Sequence, residues 1–262
     1  MRSTVLTNIY NEEYLLPYWL EHHKSIFDHG IIIDYRSTDR SVQICKEICP
    51  TWEVRTSVNP SFGAIEIDVE FMDIEKSLDG IKVILNTTEF LYVDKPLLQI
   101  FEGRGSCSLG VRAYGPYSLQ EEYPTTLREL ELCVLKDDVV FGFEYTRGRR
   151  QIHTFPTGNY GLGRHTTYNP SEETDNLAIL WLGYYPWNQH LIDRKLQIKQ
   201  NIPDSDVKKG YSYHHFYDVA KLQTIREEWC RNGRPLQEVC SPLYKMLIAS
   251  THDNHSEPGA KT

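Results

Sequence analysis

Residues 31–41 read IIIDYRSTDRS: three β-branched apolar residues in a row, then a run of short polar and charged ones. A strand buried on both faces has this unbroken apolar character, whereas a strand with one wet face alternates. Residues 31–33 are therefore expected to lie inside a parallel sheet, with Asp34 opening the loop that leaves it. Ser37, Thr38 or Asp39 can cap a following helix, because short oxygen-bearing side chains accept from the free amides of a first turn. That helix carries Val42, Cys45, Ile48 and Cys49 on one face.

Upstream, residues 4–9 (TVLTNI) form a β-rich run that ends in the polar cluster Asn8, Tyr10, Asn11, Glu12 and Glu13. Leu15, Leu16, Trp19, Leu20 and His23 then recur at helical spacing, and Pro17 is acceptable only in a first turn, so a helix is expected over about residues 14–27. Gly30 stops it. Downstream, residues 53–56 read as a short strand. Ile65, Val69 and Met72 predict a helix within residues 62–78 with its other face acidic, broken at Asp79 and Gly80. Residues 81–85 are another buried strand, ending at NTTEF, residues 86–90.

This strand and helix alternation predicts a right-handed βαβ series whose polar loops gather at the carboxyl ends of the strands. Ligands bind at that edge in open α/β sheets. Past Pro96 the pattern changes to short strands, turns and aromatics, with residues 139–145 the clearest strand and helices at about 188–200 and 219–232. An α/β first half is thus followed by an α+β second half. The polar tail, residues 251–262, is expected to be mobile.

The 262 residues include 28 Lys and Arg against 36 Asp and Glu, a net charge of −8, which disfavours nonspecific binding to nucleic acid or an anionic membrane. Any anionic ligand must be held by a local site. No apolar run approaches the roughly 18–20 residues needed to span a bilayer, and the N-terminal residues lack a secretory apolar core, so the cytoplasm is the expected location. The six cysteines form no CxxC pair, which argues against zinc ribbons and thioredoxin chemistry. Cys45 and Cys49 are expected only to pack.

Three polar loops are thus expected at one sheet edge: residues 8–13, 34–41 and 86–90. Together they resemble the family 2-like glycosyltransferases of the GT-A fold, in a bacterial and viral branch that reads N-E-x-x-x-L-x-x-W-L-x-x-H, then D-x-x-S-T-D-x-S, then D-x-D-E-F. Here the first is Asn11, Glu12, Leu16, Trp19, Leu20 and His23, and the second is Asp34, Ser37, Thr38, Asp39 and Ser41. The third is degenerate, with Asn86 and Thr88 at the two aspartate positions before Glu89 and Phe90. The likeness continues through RQIHTFPTGNYGLGRH (residues 150–165), LWLGYYPWN (from Leu180), the stretch from Arg194 to Asp206, Gly210 and His214, and so covers roughly residues 4–215.

The resemblance implies a Rossmann-like GT-A mixed sheet with helices on both faces. It implies one domain over residues 1–250, with a nucleotide-binding half (1–95) and an acceptor-binding half (96–250). The implied activity is transfer of a sugar from a nucleoside-diphosphate sugar, with UDP the expected carrier, to a glycan or other hydroxyl acceptor, with inversion. Donor binding is carried to Asn8, Asn11, Glu12, Asp34, Asp39, Asn86, Thr88, Arg150 and Arg164. Tyr184, Trp187 and His214 are carried to the acceptor, for which Tyr185, Tyr211 and Tyr213 also offer flat faces. Asp206 and Glu89, with Asp204, are candidates for the base that deprotonates the acceptor.

Expulsion of a nucleoside diphosphate needs its charge neutralised, in D-x-D enzymes by a divalent cation between carboxylates. The altered third motif leaves two alternatives. Glu89 with His165 forms a reduced site that holds Mn or Mg weakly, or Arg147, Arg149, Arg150 and Arg164 take the cation's part. A non-catalytic relative that binds a nucleotide-sugar or glycan is the rival to an enzyme. Residues 147–150 can also be a solvated basic turn, and Ser37 and Asp39 simple helix caps.

Overall fold

A computed structural model describes residues 1–143 and 149–253, apart from the side chains of Phe143 and Asp253. Its first half runs β1 (Ser3–Ile9), α1 (Leu16–His23), β2 (His29–Asp34), α2 (Ser41–Ile48), β3 (Glu53–Thr56), α3 (Ala64–Glu75) and β4 (Ile81–Ile84). Then follow β5 (Glu89–Val93), α4 (Leu97–Phe101), β6 (Ser108–Tyr117), α5 (Leu127–Val134), β7 (Val140–Phe143), β8 (Arg149–His153), β9 (Ser171–Glu173) and β10 (Leu177–Trp181). The last elements are α6 (Gln189–Gln197), α7 (Asp204–Lys208), α8 (Val219–Asn232), α9 (Leu236–Val239) and α10 (Ser241–Asp253). Within the expected mobile tail, residues 251–253 thus belong to α10, and residues 254–262 lie outside the described residues. Among the described residues, no helix is long and apolar enough to cross a membrane.

The strands form one mixed sheet ordered β3-β2-β1-β4-β8-β6-β10-β5, with β7 and β9 also pairing β6. The first four are parallel, and the apolar run of β2 lies between β3 and β1 inside them, as expected. Strand β8 then runs antiparallel to both β4 and β6. Successive side chains of a strand point to opposite faces. Val5, Ile32 and Val83 accordingly join Trp19, Leu20 and Ile44 of α1 and α2 on one face. Leu6, Ile31, Ile33 and Ile84 meet Phe71 of α3 on the other, so helices cover both faces.

Helix α1 spans Leu16–His23, shorter than the spacing predicts, and continues only as hydrogen-bonded turns to Phe27. Strand β5 is terminal in the sheet, and its outer backbone groups are taken by side chains of α1. The Trp19 indole donates to the Glu89 carbonyl at 3.0 Å, and His22 Nε2 donates to the Leu91 carbonyl at 2.6 Å. His23 Nε2 accepts from the Leu91 amide at 3.1 Å while its Nδ1 donates to the Trp19 carbonyl at 2.8 Å. The His23 ring, which accepts through one nitrogen and donates through the other, is therefore neutral, and burial pushes His22 down to about 4, against its bond to the Leu91 carbonyl, and His23 well below its ordinary value. A helix that satisfies an edge strand in this way also blocks further strand addition.

Helix α3 corrects the sequence reading. Ile65 and Val69 are exposed, while Asp68, Phe71 and Glu75 are buried. The acidic face points inward because its carboxylates find donors there. Glu75 accepts from the Tyr160 hydroxyl at 2.8 Å and the Gly158 amide at 2.6 Å, and lies 3.1 Å from His153 Nε2. Buried carboxylates are tolerated when hydrogen-bonded in this manner.

Candidate functional site

The loops after β1 and β2 are sewn together by the residues of the first two motifs. Asn11, at φ 50°, accepts from the Thr38 amide at 2.7 Å through Oδ1, and its own amide donates to Ser37 Oγ at 3.0 Å. The Glu12 amide donates to Ser41 Oγ at 2.8 Å. Asp39 accepts from the Glu13 amide through Oδ2 and from the Ser41 amide through Oδ1. Asp34 accepts from the Ser37 amide at 2.9 Å, a turn closed by its own side chain. Arg40 holds the N-cap position of α2 without a side-chain cap bond; Asp39, one residue earlier, supplies the acceptor for the first amide of the helix, and Ser37 caps nothing there. Asn8 is half-buried at the carboxyl end of β1, beside Ile33 of β2.

The loop 86–89 is held by three arginines from three different elements. Arg194 of α6 forks onto both oxygens of Glu12, at 2.5 and 2.6 Å, and donates to Thr87 Oγ1 at 3.1 Å. Arg164 donates to Asp68 Oδ1 at 2.5 Å and to Asn86 Oδ1 at 3.2 Å, while Asp68 Oδ2 accepts from the Gly163 amide at 2.7 Å. Arg150 of β8 binds Glu89 through Nε at 3.0 and 2.9 Å and through Nη2 at 2.7 Å. Its Nη1 reaches the Gly163 carbonyl at 2.9 Å and His165 Nδ1 at 3.1 Å. Bidentate guanidinium and carboxylate contacts of this kind are the strong, orienting ones. Burial lowers the Arg164 guanidinium from its ordinary value, opposed by the charge of Asp68.

A divalent cation does not fit this donor set. Glu89 is engaged through both oxygens by Arg150 and the Asn86 amide, and the same guanidinium bridges to His165. A cation between those two residues would have to displace a buried like charge. Among the described residues no group of three or more His, Cys, Asp or Glu is placed to hold a metal.

Glu12, Asn86, Glu89, Arg150, Arg164 and His165 are thus brought together, with Asn11, Asp34 and Asp39 in the adjoining loop. Thr88 is buried in the same turn, its carbonyl accepting from the Leu182 amide at 2.7 Å. Arg149 pairs with Glu173 at 2.6 Å, and Arg147 lies outside the described residues. Asp206 is buried and accepts from the Ala64 amide at 2.7 Å, at the start of α3. Trp187 is buried in a small core with Leu15, Leu191 and Leu222, under the Arg226 guanidinium at 4.7 Å. Tyr184 carries Lys195 Nζ over its ring at 3.9 Å. His214 is exposed, its ring 4.1 Å from that of His215. His215 is lowered to about 3 by burial and by the nearby charges of His214, Lys195 and Arg194.

Arg194, Thr87 and Asp68 join this cluster although no site role is expected of them from the sequence. The signal for Arg194 is its place on the predicted helix of residues 188–200. Asp68 carries no local signal, since its partner is 96 residues away. A separate hollow of about 320 Å³ between β3 and α3 is lined by Ile33, Arg55, Glu70 and Asp73. Glu70 there is satisfied by Tyr35, Ser57, Asn59 and the Val58 amide, and the hollow takes no part in the loop cluster.

No protein-family model matches the chain, and no curated protein matches it. Among solved structures it is similar to S. aureus TarS residues 1–349, at 19% identity over 48% of this chain and 39% of that one, with a TM-score of 0.35. The same TarS fragment in complex with UDP-GlcNAc is similar at 18% identity over 48% and 37%, TM-score 0.33. Glucosyl-3-phosphoglycerate synthase from Mycobacterium tuberculosis, with Mn2+, UDP and glucosyl-3-phosphoglycerate, is similar at 16% identity over 44% of each chain, TM-score 0.31. The matched part spans less than half the length of each of these proteins.

Proposed function

We propose that this chain is a glycosyltransferase of GT-A type, within the branch that its first two motifs resemble, using a nucleoside-diphosphate sugar with UDP as the carrier. One observation carries the reading. Strand order reverses between β1, which leads to β2 on one side, and β4 on the other. The loops leaving those two strands are joined there by Arg194, from Glu12 to Thr87. Open α/β sheets bind their ligands at such a reversal. Asn8, Asn11, Asp34 and Asp39 then face the nucleoside, and residues 86–89 with their arginines face the diphosphate. The acceptor hydroxyl comes from the side of α6, where Tyr184, Lys195 and His214 lie; its oxygen bonds the anomeric carbon as the bond to the diphosphate oxygen breaks on the opposite face, with inversion, the nucleoside diphosphate leaving and the hydroxyl proton passing to one of the candidate carboxylates Asp206, Asp204 or Glu89.

A second reading, a non-catalytic sugar-nucleotide binder, is favoured by the engagement of two of the three candidate bases; the third, Asp204, is exposed at the start of α7. Glu89 is tied to Arg150 and Asp206 to the Ala64 amide. One experiment tests both. Thermal shift with UDP, GDP, CMP and dTDP identifies the base, since a ligand at 100 times its Kd stabilises by about 2.7 kcal/mol. Sugar release from the bound sugar nucleotide then supports the enzyme; binding with no hydrolysis or transfer supports the binder. Stabilisation by none of the nucleotides refutes the donor site.

A further inference from the structure

We propose that resident guanidinium groups, in place of a divalent cation, neutralise the diphosphate of the donor; this rests on the donor reading just given. The two residues the family pattern would offer a metal, Glu89 and His165, are both bonded to Arg150. Two further acceptors of the loop are taken the same way, Asn86 Oδ1 by Arg164 and Thr87 Oγ1 by Arg194. A guanidinium fork matches phosphate geometry and is less strongly hydrated than an ammonium, which suits a buried anion site.

The charge arithmetic is that of a metal site. Arg150, Arg164 and Arg194 stand against Glu89, Asp68 and Glu12, three positive and three negative, so the cluster is formally neutral before ligand enters. A dication held by two carboxylates is neutral too. The arginines retain capacity for a ligand. Arg164 is only 7% exposed, and its Nε, an obligatory donor, is buried with no partner. Leaving such a donor unmatched is costly, and a phosphate oxygen admitted by a small opening of the turn would complete it. Arg194 binds Glu12 and Thr87 through Nε and Nη2, leaving Nη1 outside those contacts.

The backbone supports the same assignment. Gly163 and Arg164 are both in the left-handed region, at φ 74° and 62°. A non-glycine residue there is strained and persists where its surroundings hold it, commonly at ligand sites. Here the hold is Asp68, which binds both the Gly163 amide and the Arg164 guanidinium and so aims the latter at Asn86.

The test is calorimetric titration of UDP, and separately of uridine, into the full chain in EDTA and in manganese. Metal-independent binding is expected, with Kd for UDP the same within about twofold in the two buffers. Arg194→Met and Arg164→Gln should raise Kd for UDP about tenfold or more, the worth of a charge-assisted bond, with a smaller change for uridine. Arg194→Lys, which keeps the charge and loses the fork, should fall between, and it serves if the larger changes do not fold. UDP binding that appears only with manganese overturns the inference and leaves the donor reading standing. Failure to bind UDP in either buffer overturns both. Equal losses for uridine and UDP in the variants place the arginines away from the phosphates and also overturn it.

Discussion

Replacing Asp68 with alanine is the sharpest test of how the site is supported. The substitution strips the counter-charge from Arg164, which donates to Asp68 Oδ1 at 2.5 Å in a buried setting, and removes the acceptor of the Gly163 amide. Breaking one partner of a buried pair costs about 3–5 kcal/mol, because the remaining charge cannot be resolvated. Asp68→Ala should therefore lower unfolding free energy by about that amount, read as a fall in urea midpoint at constant slope. In Asp68→Ala/Arg164→Met no charge is left behind, and the methionine can lie on Phe71, whose ring the guanidinium now covers at 4.9 Å. The double variant should lose only about 1–3 kcal/mol, chiefly for the unmatched Gly163 amide. Arg164→Met alone should also cost about 3–5 kcal/mol, since it leaves Asp68 buried without its counter-charge, so the double variant should fall short of the sum of the two singles by several kcal/mol (about 2 against about 8), the sign of an interacting pair. A double variant whose loss equals the sum of the two single ones would refute the pairing, and with it the inward-facing acidic side of α3.

Three further outcomes follow from the same geometry. Ile65→Glu and Val69→Lys, on exposed positions, should each change stability by no more than about 0.5 kcal/mol, whereas Phe71→Ala should cost about 3–5 kcal/mol in the same urea assay. His22, held neutral at about 4 in the folded chain against about 6.5 unfolded, binds fewer protons folded than unfolded in that window. The contribution of His22 should therefore be complete above pH 6.5 and fall as pH drops towards 4, by up to about 3 kcal/mol, and His22→Gln should reduce the slope between pH 7 and 5, leaving the part due to His23, which is lowered in the same direction. Asp39→Ala unties the Glu13 and Ser41 amides, so it should cost about 1–3 kcal/mol of stability and weaken uridine and UDP to the same degree, since Asp39 lies on the nucleoside side; unchanged uridine affinity would remove it from the donor site.

The parallel half of the sheet was legible because its signals are local. Runs such as residues 31–33 and 81–84 carry their burial in their own composition, and Asp34 and Asn11 announce turns by residue type. The second half was obscure where packing overrides local preference. Strand β6 is ten residues long and central, yet it contains Gly110, Gly115 and Pro116, which read as breaks. A Cβ at Gly115 would meet the Trp181 ring at 2.9 Å, and one at Gly142 of β7 would meet Trp229 at 2.3 Å. Those glycines are spaces cut for tryptophans that lie 66 and 87 residues further along the chain. The family motifs singled out Glu89, Arg150 and Arg164 but could not say that Arg150 binds Glu89 while Arg164 is held by Asp68.

Helix α3 shows why the support of the site was the least legible part. Hydrophobic periodicity assigns carboxylates to solvent because a lone charge is expensive to bury, and that rule holds only when no partner is at hand. Asp68 and Glu75 have partners in the segment 153–164, which no window along the helix contains. The exchange leaves Ile65 and Val69 exposed, an apolar loss the helix bears so that its acids can reach inward. What Asp68 gains is control of Arg164: it fixes the left-handed turn at residues 163 and 164 and points the guanidinium at Asn86. The position that breaks the amphipathic pattern most plainly is therefore the one that supports the proposed phosphate contact, and a violated local rule of this sort is where functional constraint is to be sought.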